Sequence, residues 1–467
     1  MARETLSSRL GFFALAAGCT IGLGNVWRFP FITGEYGGGA FVLIYLVFLA
    51  ILGYPILTME LAIGRAGGSN LVGSYRKLPA KHGNLFGRLG MLFFTGNLIL
   101  LMYYSTVTGW LGSYLAGYAG GNIVSCAGAE ATGAYFNALI SNPVKSTLAM
   151  VTVTGLAAAV CACGLQAGVE KCVKMMMALL FVILLVLAVR CMFLPGAGKA
   201  LKFYLLPDFS RAFEKGICNV LYAAMGQAFF TLSVGIGSMA IFGSYIGKER
   251  SLSGESAFII ILDTIVALLA GFIIFPICFS YGVSINQGPG LVFVSLPNIF
   301  NTMPMPRVTG TVFFLFLLLA ALTTLIAVIE NLAAFLIDEF TLPRRLSAII
   351  AGAGVILLSI PCALGFGVLK SIQPLGKGSC ILDLEDFIVS QNLLPLGALF
   401  AWFFCISKHG WGWKNFLAET DCGTGMRFPV KAFIYIKYIL PILIISVFAA
   451  GYIQQFDLIN RISALFN

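Results

Sequence analysis

Two short stretches break the pattern around them: Gly18-Cys19-Thr20-Ile21-Gly22-Leu23-Gly24-Asn25 and Thr231-Leu232-Ser233-Val234-Gly235-Ile236-Gly237. Each lies midway through an apolar segment and brings in glycines with hydroxyl or amide residues. Where a helix is interrupted, backbone N–H and C=O groups lose their intrahelical partners. At membrane depth this is tolerated only where protein buries those groups or a cavity accepts them. Freed amides at the start of a new half-helix suit an anion, and freed carbonyls suit cations. Membrane helices also use glycine for close packing, so one such span would say little. Two of them, in corresponding places of two five-span halves, point to an inverted-repeat transporter site.

Acids within apolar runs are few, and Asp263 and Glu330 stand out. A buried charge is costly unless paired, so an intramembrane acid marks a functional site by default. Thr323-Thr324 is a second polar pair in a span, although such threonines ordinarily bond carbonyls one turn back. A membrane enzyme would need paired acids, a metal cluster or a nucleophile–base pair, which Asp263 and Glu330 do not supply. His82 and His409 sit in loops without clustered ligands, so no zinc-type site is expected. Most of the 12 cysteines, such as Cys161, Cys163, Cys191 and Cys278, lie in apolar segments, where thiols act as small hydrophobes. Cys126 is the lone cysteine of its loop, and no disulfide framework is expected.

The elements that must position these groups follow from composition. Of 467 residues, 59% are hydrophobic and 10% charged, against about 25% charged in soluble domains. Runs of roughly 20 apolar residues, enough to cross a bilayer, recur throughout. The expected fold class is all-α integral membrane, with about eleven transmembrane helices near 10–34, 40–63, 90–117, 146–164, 173–194, 216–243, 256–283, 310–337, 346–364, 386–406 and 432–454. Two inverted five-helix repeats are expected at about 8–194 and 215–407, with helices one and six broken. An extra helix at about 430–455 completes a single domain over 1–455, followed by a short tail, 456–467. Loops near 119–142, 195–214, 284–307 and 365–382 have room for short helices.

The net charge of +10 does not imply nucleic acid, because Lys and Arg sit in loops as the positive-inside rule expects. The loop after the second span carries Arg65, Arg76, Lys77, Lys81 and Arg88 without an acid, whereas 119–142 carries only Glu130. That asymmetry puts the N-terminus, with Arg3 and Arg9, in the cytoplasm and the C-terminus outside. Lys199, Lys202 and Arg211 run against the rule, in a loop this topology makes external. Leu15-Ala16-Ala17-Gly18-Cys19 has the outline of a lipoprotein cleavage signal, but cleavage would remove half of a span that continues directly into dense motif.

Several longer motifs carry a resemblance. Arg9-Leu10-Gly11, Gly22-Leu23-Gly24-Asn25-Val26-Trp27-Arg28-Phe29-Pro30 and Gly37-Gly38-Gly39-Ala40-Phe41 resemble the neurotransmitter:sodium symporter family. So do Gly226-Gln227-Ala228-Phe229-Phe230-Thr231-Leu232-Ser233 and Ala320-Ala321-Leu322-Thr323-Thr324. The resemblance runs from about residue 3 to 455, and about eleven spans is similar to the shorter bacterial members. It implies sodium-coupled symport of an amino acid by alternating access, with spans one, two, six and seven rocking against three, four, eight and nine. The implied location is the cell (inner) membrane, with a small-molecule amino acid and the bilayer as partners and no obligate protein partner.

The same resemblance implies a site, residue by residue. Amides of Leu23 and Gly24 with the Tyr104 hydroxyl would hold a carboxylate; carbonyls of Thr20, Phe230 and Thr231 with the Ser233 hydroxyl would hold an ammonium. Leu100, Tyr104, Phe230, Ile236, Thr324 and Val328 would surround a neutral, apolar side chain. Monoamine-carrying relatives have an aspartate where this chain has Gly22, so the substrate is expected to bring its own carboxylate. Two Na+ ions are implied. The first would use Thr20, Asn25, Thr231, Asp263 and the substrate carboxylate; the second would use Gly18, Ile21, Ala320, Thr323 and Thr324. Many relatives have asparagine at Asp263. The following turn has Ala267, where chloride-dependent relatives have serine and other bacterial members glutamate. Asp263 is therefore expected to supply the fixed negative charge, making transport chloride-independent, and to take up a proton when sodium leaves. Arg28 with Asp386 would close the outer gate, and Arg3 with Asp338, near Tyr245, the inner one. Leu6 replaces a tryptophan common in relatives, which weakens that latch. A proton-coupled transporter and a binding-only sensor on the same scaffold remain alternatives.

Overall fold

The structure is a computed structural model and describes residues 4–126, 128–283 and 290–455. It is all-α; among the described residues the extended pairings are two isolated bridges, Gly38 with Pro207 and Arg250 with Thr424. The first span is two helices, α1 (Arg9–Thr20) and α2 (Gly24–Glu35), bent by 51° at the break. Then come α3 (Gly39–Gly67), α4 (Gly83–Gly120), α5 (Pro143–Ala162) and α6 (Leu165–Met192). The sixth span is again in two pieces, α7 (Ile217–Leu232) and α8 (Ser238–Gly243). It is followed by α9 (Leu252–Tyr281), α10 (Pro306–Phe340), α11 (Arg344–Leu364), α12 (Ile381–Ile406) and α13 (Val430–Ile453). Nine unbroken helices among the described residues are long and apolar enough to cross a membrane, ten with the bent pair. The pieces α7 and α8 are each too short to cross a core needing ~20 residues; joined, they make the eleventh crossing.

Prolines explain a recurrent irregularity. Of the wide π-turns among the described residues, Leu165–Glu170 runs on without proline, and five others occupy Gly24–Arg28, Leu49–Gly53, Leu291–Ser295, Phe387–Leu393 and Tyr435–Ile439. Each of these five runs into a helical segment with proline at its second residue: Pro30, Pro55, Pro297, Pro395 and Pro441. Proline lacks an N–H and its ring clashes with the carbonyl one turn back. A widened turn accommodates both without ending the helix.

α4, α5, α10 and α11 pack against one another, while α1 lies along α6 and α10, and α8 against α3. α10 is largely buried along its length whereas α13 is largely exposed, so α10 is a central column and α13 a peripheral one. Short helices fill three of the loops: Gly128–Ser141, Ala197–Leu205 with Phe209–Phe213, and Leu291–Thr302. The fourth, 365–382, is turns up to the start of α12.

Candidate functional site

The first break is built by residues on either side of it. α1 starts with the Ser8 hydroxyl accepting the Gly11 amide at 3.1 Å, and its last bond is Ile21 N to Ala17 O, 2.6 Å. The chain restarts when the amides of Asn25 and Val26 bond Gly22 O at 3.1 and 3.3 Å. Asn25 Oδ1 accepts the Gly22 amide at 3.3 Å, and Leu23 N donates to the Tyr104 hydroxyl at 3.1 Å. Gly22 is forced by space: a Cβ there would stand 2.5 Å from Thr324 Oγ1 and 2.6 Å from the Tyr104 hydroxyl.

The second break turns through left-handed backbone at Ser233 (φ +50°) and Gly235 (φ +100°), a region that costs a non-glycine residue energy. Glu60, reaching in from α3, holds it. Its Oε1 accepts the amides of Gly235 at 2.5 Å and Gly237 at 3.4 Å. Asn97 of α4 donates to Ile236 O at 2.7 Å and accepts from Ser238 at 2.7 Å and from Asn331 at 3.1 Å. Gln227 Nε2 ties the two breaks by donating to Gly24 O at 2.9 Å. Glu60 and Asn97 escaped the sequence analysis, and Gln227 had no role in it. Expecting Asp263 and Glu330 as the acids at depth was short by at least one, since Glu60 is fully buried. The rule that singled out Asp263, an acid inside an apolar run, would have found it.

Between the breaks lies a small cavity with about 340 Å³ of empty space. Thr20, Leu23, Gly24 and Ser233 line it, together with Leu100, Tyr104, Phe230, Ile236 and Thr324. Val328 does not; it is buried in the packing of α10 beyond Thr324. Thr231 is also outside the lining, with its hydroxyl turned to Asp263. Val389 and Leu394 of α12 enter the lining unforeseen. They arrive there because Gly235 lies flat on α12, where a Cβ would be 2.1 Å from Leu394 O. Pro395 is the one residue in this stretch whose type hints at a distorted α12, though it does not say that α12 reaches the cavity.

Two oxygen-rich sets flank the cavity. In the first, Asn25 Nδ2 donates to Asp263 Oδ1 at 2.8 Å, and Thr231 Oγ1 reaches both carboxylate oxygens at 3.2 and 3.0 Å. The Thr20 hydroxyl is turned back to Ala17 O at 3.2 Å. In the second, Thr324 Oγ1 bonds Gly18 O across helices at 3.1 Å and Ala320 O within its own helix at 3.4 Å. Thr323 Oγ1 bonds Ala320 O at 2.9 Å; that bond one turn back is the ordinary behaviour of a membrane threonine. Ile21 is buried at the end of α1 beside this set. The second set presents oxygens only, the donor type that hard cations take; in the first, the Asn25 amide nitrogen faces the Asp263 carboxylate.

Above the cavity, Arg28 Nη1 meets Asp386 Oδ1 at 3.3 Å and Ser390 Oγ at 3.0 Å, and its guanidinium lies 4.3 Å from the Phe230 ring centroid. The Tyr103 hydroxyl adds a bond to Asp386 at 3.1 Å. Leu23, Tyr104 and Phe230 line both the small cavity and a second one of about 990 Å³ empty space beside Arg28 and Asp386, so they form the partition between them. On the opposite face, Arg3 lies outside the described residues. Asp338 Oδ2 accepts from Asn70 N at 2.6 Å and Ser69 Oγ at 3.2 Å, and shares a cleft with Tyr245. The Tyr245 hydroxyl donates to Glu330 at 2.7 Å, and its carbonyl accepts Leu6 N at 3.3 Å. Arg344, without a role in the sequence analysis, bridges Glu330 and Glu4 at 2.5 Å each.

A chain whose spans one and six are both broken around a cavity, with an ion pair beside it, has the architecture of a secondary transporter. It belongs to the sodium:neurotransmitter symporter family, whose model matches residues 3–122 and 135–460. It is 36% identical over 452 residues to an uncharacterized sodium-dependent transporter, YhdH, of Bacillus subtilis, covering 95% of this chain and 96% of that one. An uncharacterized sodium-dependent transporter of Haemophilus influenzae is 33% identical over 463 residues, with 96% and 98% covered. The crystal structure of MhsT in complex with L-phenylalanine superposes with a TM-score of 0.86 at 38% identity, covering 96% of this chain and 99% of MhsT. The chain is thus a multi-pass, sodium-dependent membrane transporter with two inverted five-helix repeats.

Proposed function

We propose that this transporter carries a neutral, apolar amino acid with sodium across the plasma membrane, independently of chloride. The observation that carries the reading is the cavity between the breaks, where Gly22 leaves no acid and a side chain at that position would collide with Thr324 and Tyr104. A bare amine would find no counter-charge there. An amino acid places its carboxylate at the Leu23 and Gly24 amides, sharing the Tyr104 hydroxyl that now bonds Leu23. Its ammonium faces the carbonyls of Thr20, Phe230 and Thr231 and the Ser233 hydroxyl. Its side chain lies among Leu100, Phe230, Ile236, Val389 and Leu394, with Val328 and Thr324 behind. The phenylalanine bound by MhsT supports an apolar cargo.

Sodium is cargo as well. The first ion takes the Thr20 carbonyl, Asn25, Thr231, Asp263 and the substrate carboxylate. Neither ion nor substrate is fully satisfied alone, which couples them. The second takes carbonyls of Gly18, Ile21 and Ala320 with the hydroxyls of Thr323 and Thr324. Asp263 supplies the fixed charge that a chloride ion would otherwise bring, since Ala267 has no side-chain oxygen, and takes a proton when sodium departs. Transport alternates between closure by Arg28–Asp386 outside and by Arg3–Asp338 with the Tyr245–Glu330–Arg344 network inside.

Proteoliposomes holding the purified protein test this directly. An inward sodium gradient should drive concentrative uptake of a radiolabelled apolar amino acid in chloride-free buffer, and sodium-loaded vesicles should show counterflow. Uptake that ignores sodium and follows a pH gradient would replace this reading with proton coupling. Binding without counterflow would leave a sensor.

A further inference from the structure

We infer that the membrane face shared with the Arg28–Asp386 pair carries a binding site for an anionic phospholipid, between α6, α9 and the start of α10. A cavity with about 460 Å³ of empty space lies there, away from the two breaks. Leu187, Ile273, Ile277, Phe300 and Phe313 make its floor, all buried. Arg190 is the single charged residue of its lining. All of these belong to the ends of their helices that chain alternation puts on the Arg28–Asp386 side.

The occupant follows from chemistry and position. The adjoining surface of α6 exposes Val182, Val186, Val189 and Phe193, the last 85% exposed, at a spacing that forms one stripe on a helix. Such a stripe faces hydrocarbon, so the mouth of the cavity opens to acyl chains, not to water. Arg190, at the end of that stripe, donates to Thr309 Oγ1 at 2.9 Å, and no carboxylate among the described residues lies within ion-pair distance of it. A lone guanidinium at the membrane interface extends toward the headgroups and takes a phosphate oxygen. Tyr281, 39% exposed at the mouth, places its hydroxyl where interfacial tyrosines ordinarily sit. An acyl chain below Arg190 then fills a cavity whose walls are apolar. Lys199 and Lys202 follow on the next helix, Ala197–Leu205. They are cations that break the positive-inside pattern, and anionic headgroups on this face account for their tolerance.

The test uses the full chain in detergent, probed with dioleoylphosphatidylglycerol, dioleoylphosphatidylcholine and inorganic phosphate. Native mass spectrometry should show phosphatidylglycerol retained in preference to phosphatidylcholine, and the same lipid should raise the thermal midpoint. Arg190→Gln, at an exposed position, should weaken the apparent affinity about tenfold, the scale of a hydrogen bond to a charged group. Leu194→Trp at the cavity mouth should block the acyl chain and give the same loss with the arginine intact. Equal retention of both lipids, unchanged retention in both variants, or an equal midpoint shift with inorganic phosphate would each overturn the inference.

Discussion

The carboxylate of Glu60 reaches from α3 into the gap between α7 and α8, where its Oε1 accepts the Gly235 amide at 2.5 Å. An interrupted helix leaves amides that must find partners away from water, and this side chain serves two of them. Glu60→Ala should lower stability by about 1–3 kcal/mol per orphaned amide. Glu60→Gln keeps an accepting oxygen and should lose less. Unfolding in a fixed detergent reads the difference, and equal midpoints for all three proteins would refute the assignment.

Asp263 accepts from both Asn25 and Thr231. The substitution Asp263→Asn would place a second amide against that of Asn25, or turn it and lose one acceptor, and would remove the fixed charge. We expect the sodium concentration for half-maximal uptake to rise at least about tenfold, with chloride now stimulating uptake. Unchanged sodium dependence in chloride-free buffer would defeat the charge-balance argument.

Gly22 has no room for a side chain, since its Cβ would overlap Thr324 and Tyr104. Gly22→Ala should reduce amino-acid binding about tenfold or more, measured with radiolabelled ligand and sodium. Gly22→Asp by itself should not produce a monoamine carrier, because the new carboxylate would be pushed out of place. Appreciable monoamine uptake by that single variant would contradict the geometry.

The Arg28 and Asp386 side chains are 22% and 32% exposed, so their pairing is worth only ~0–1 kcal/mol. A gate that opens in every cycle needs such weakness. Asp386→Asn should therefore speed dissociation of bound amino acid only several-fold, by about 3- to 5-fold, while equilibrium sodium affinity changes little. Loss of the fold or a hundredfold faster dissociation would mean that the pair is structural.

Much of this was legible in the chain. Glycines with polar neighbours at 18–25 and 231–237 marked both breaks, because interruption of an apolar helix is a local property of the residues there. Most span limits fell within about five residues for the same reason, but α4 starts at Gly83 and α6 at Leu165, well before the expected 90 and 173. The α12 contribution was not legible, since Val389 and Leu394 are ordinary aliphatics in an apolar run. Only the flat contact of Gly235 on Leu394 brings them to the cavity. Arg344 likewise reads as a loop cation until folding sets it between Glu330 and Glu4.

By itself the sequence determined that this is a membrane transporter with two broken spans and a site without an acid at Gly22. Those features depend on hydrophobic length, backbone breaks and side-chain type, which are written residue by residue. Tertiary structure alone decided which oxygens converge, that Glu60 holds the second break, and that Thr231 faces Asp263 while leaving the cavity wall. Those outcomes depend on distances between residues far apart in the chain, and packing sets them.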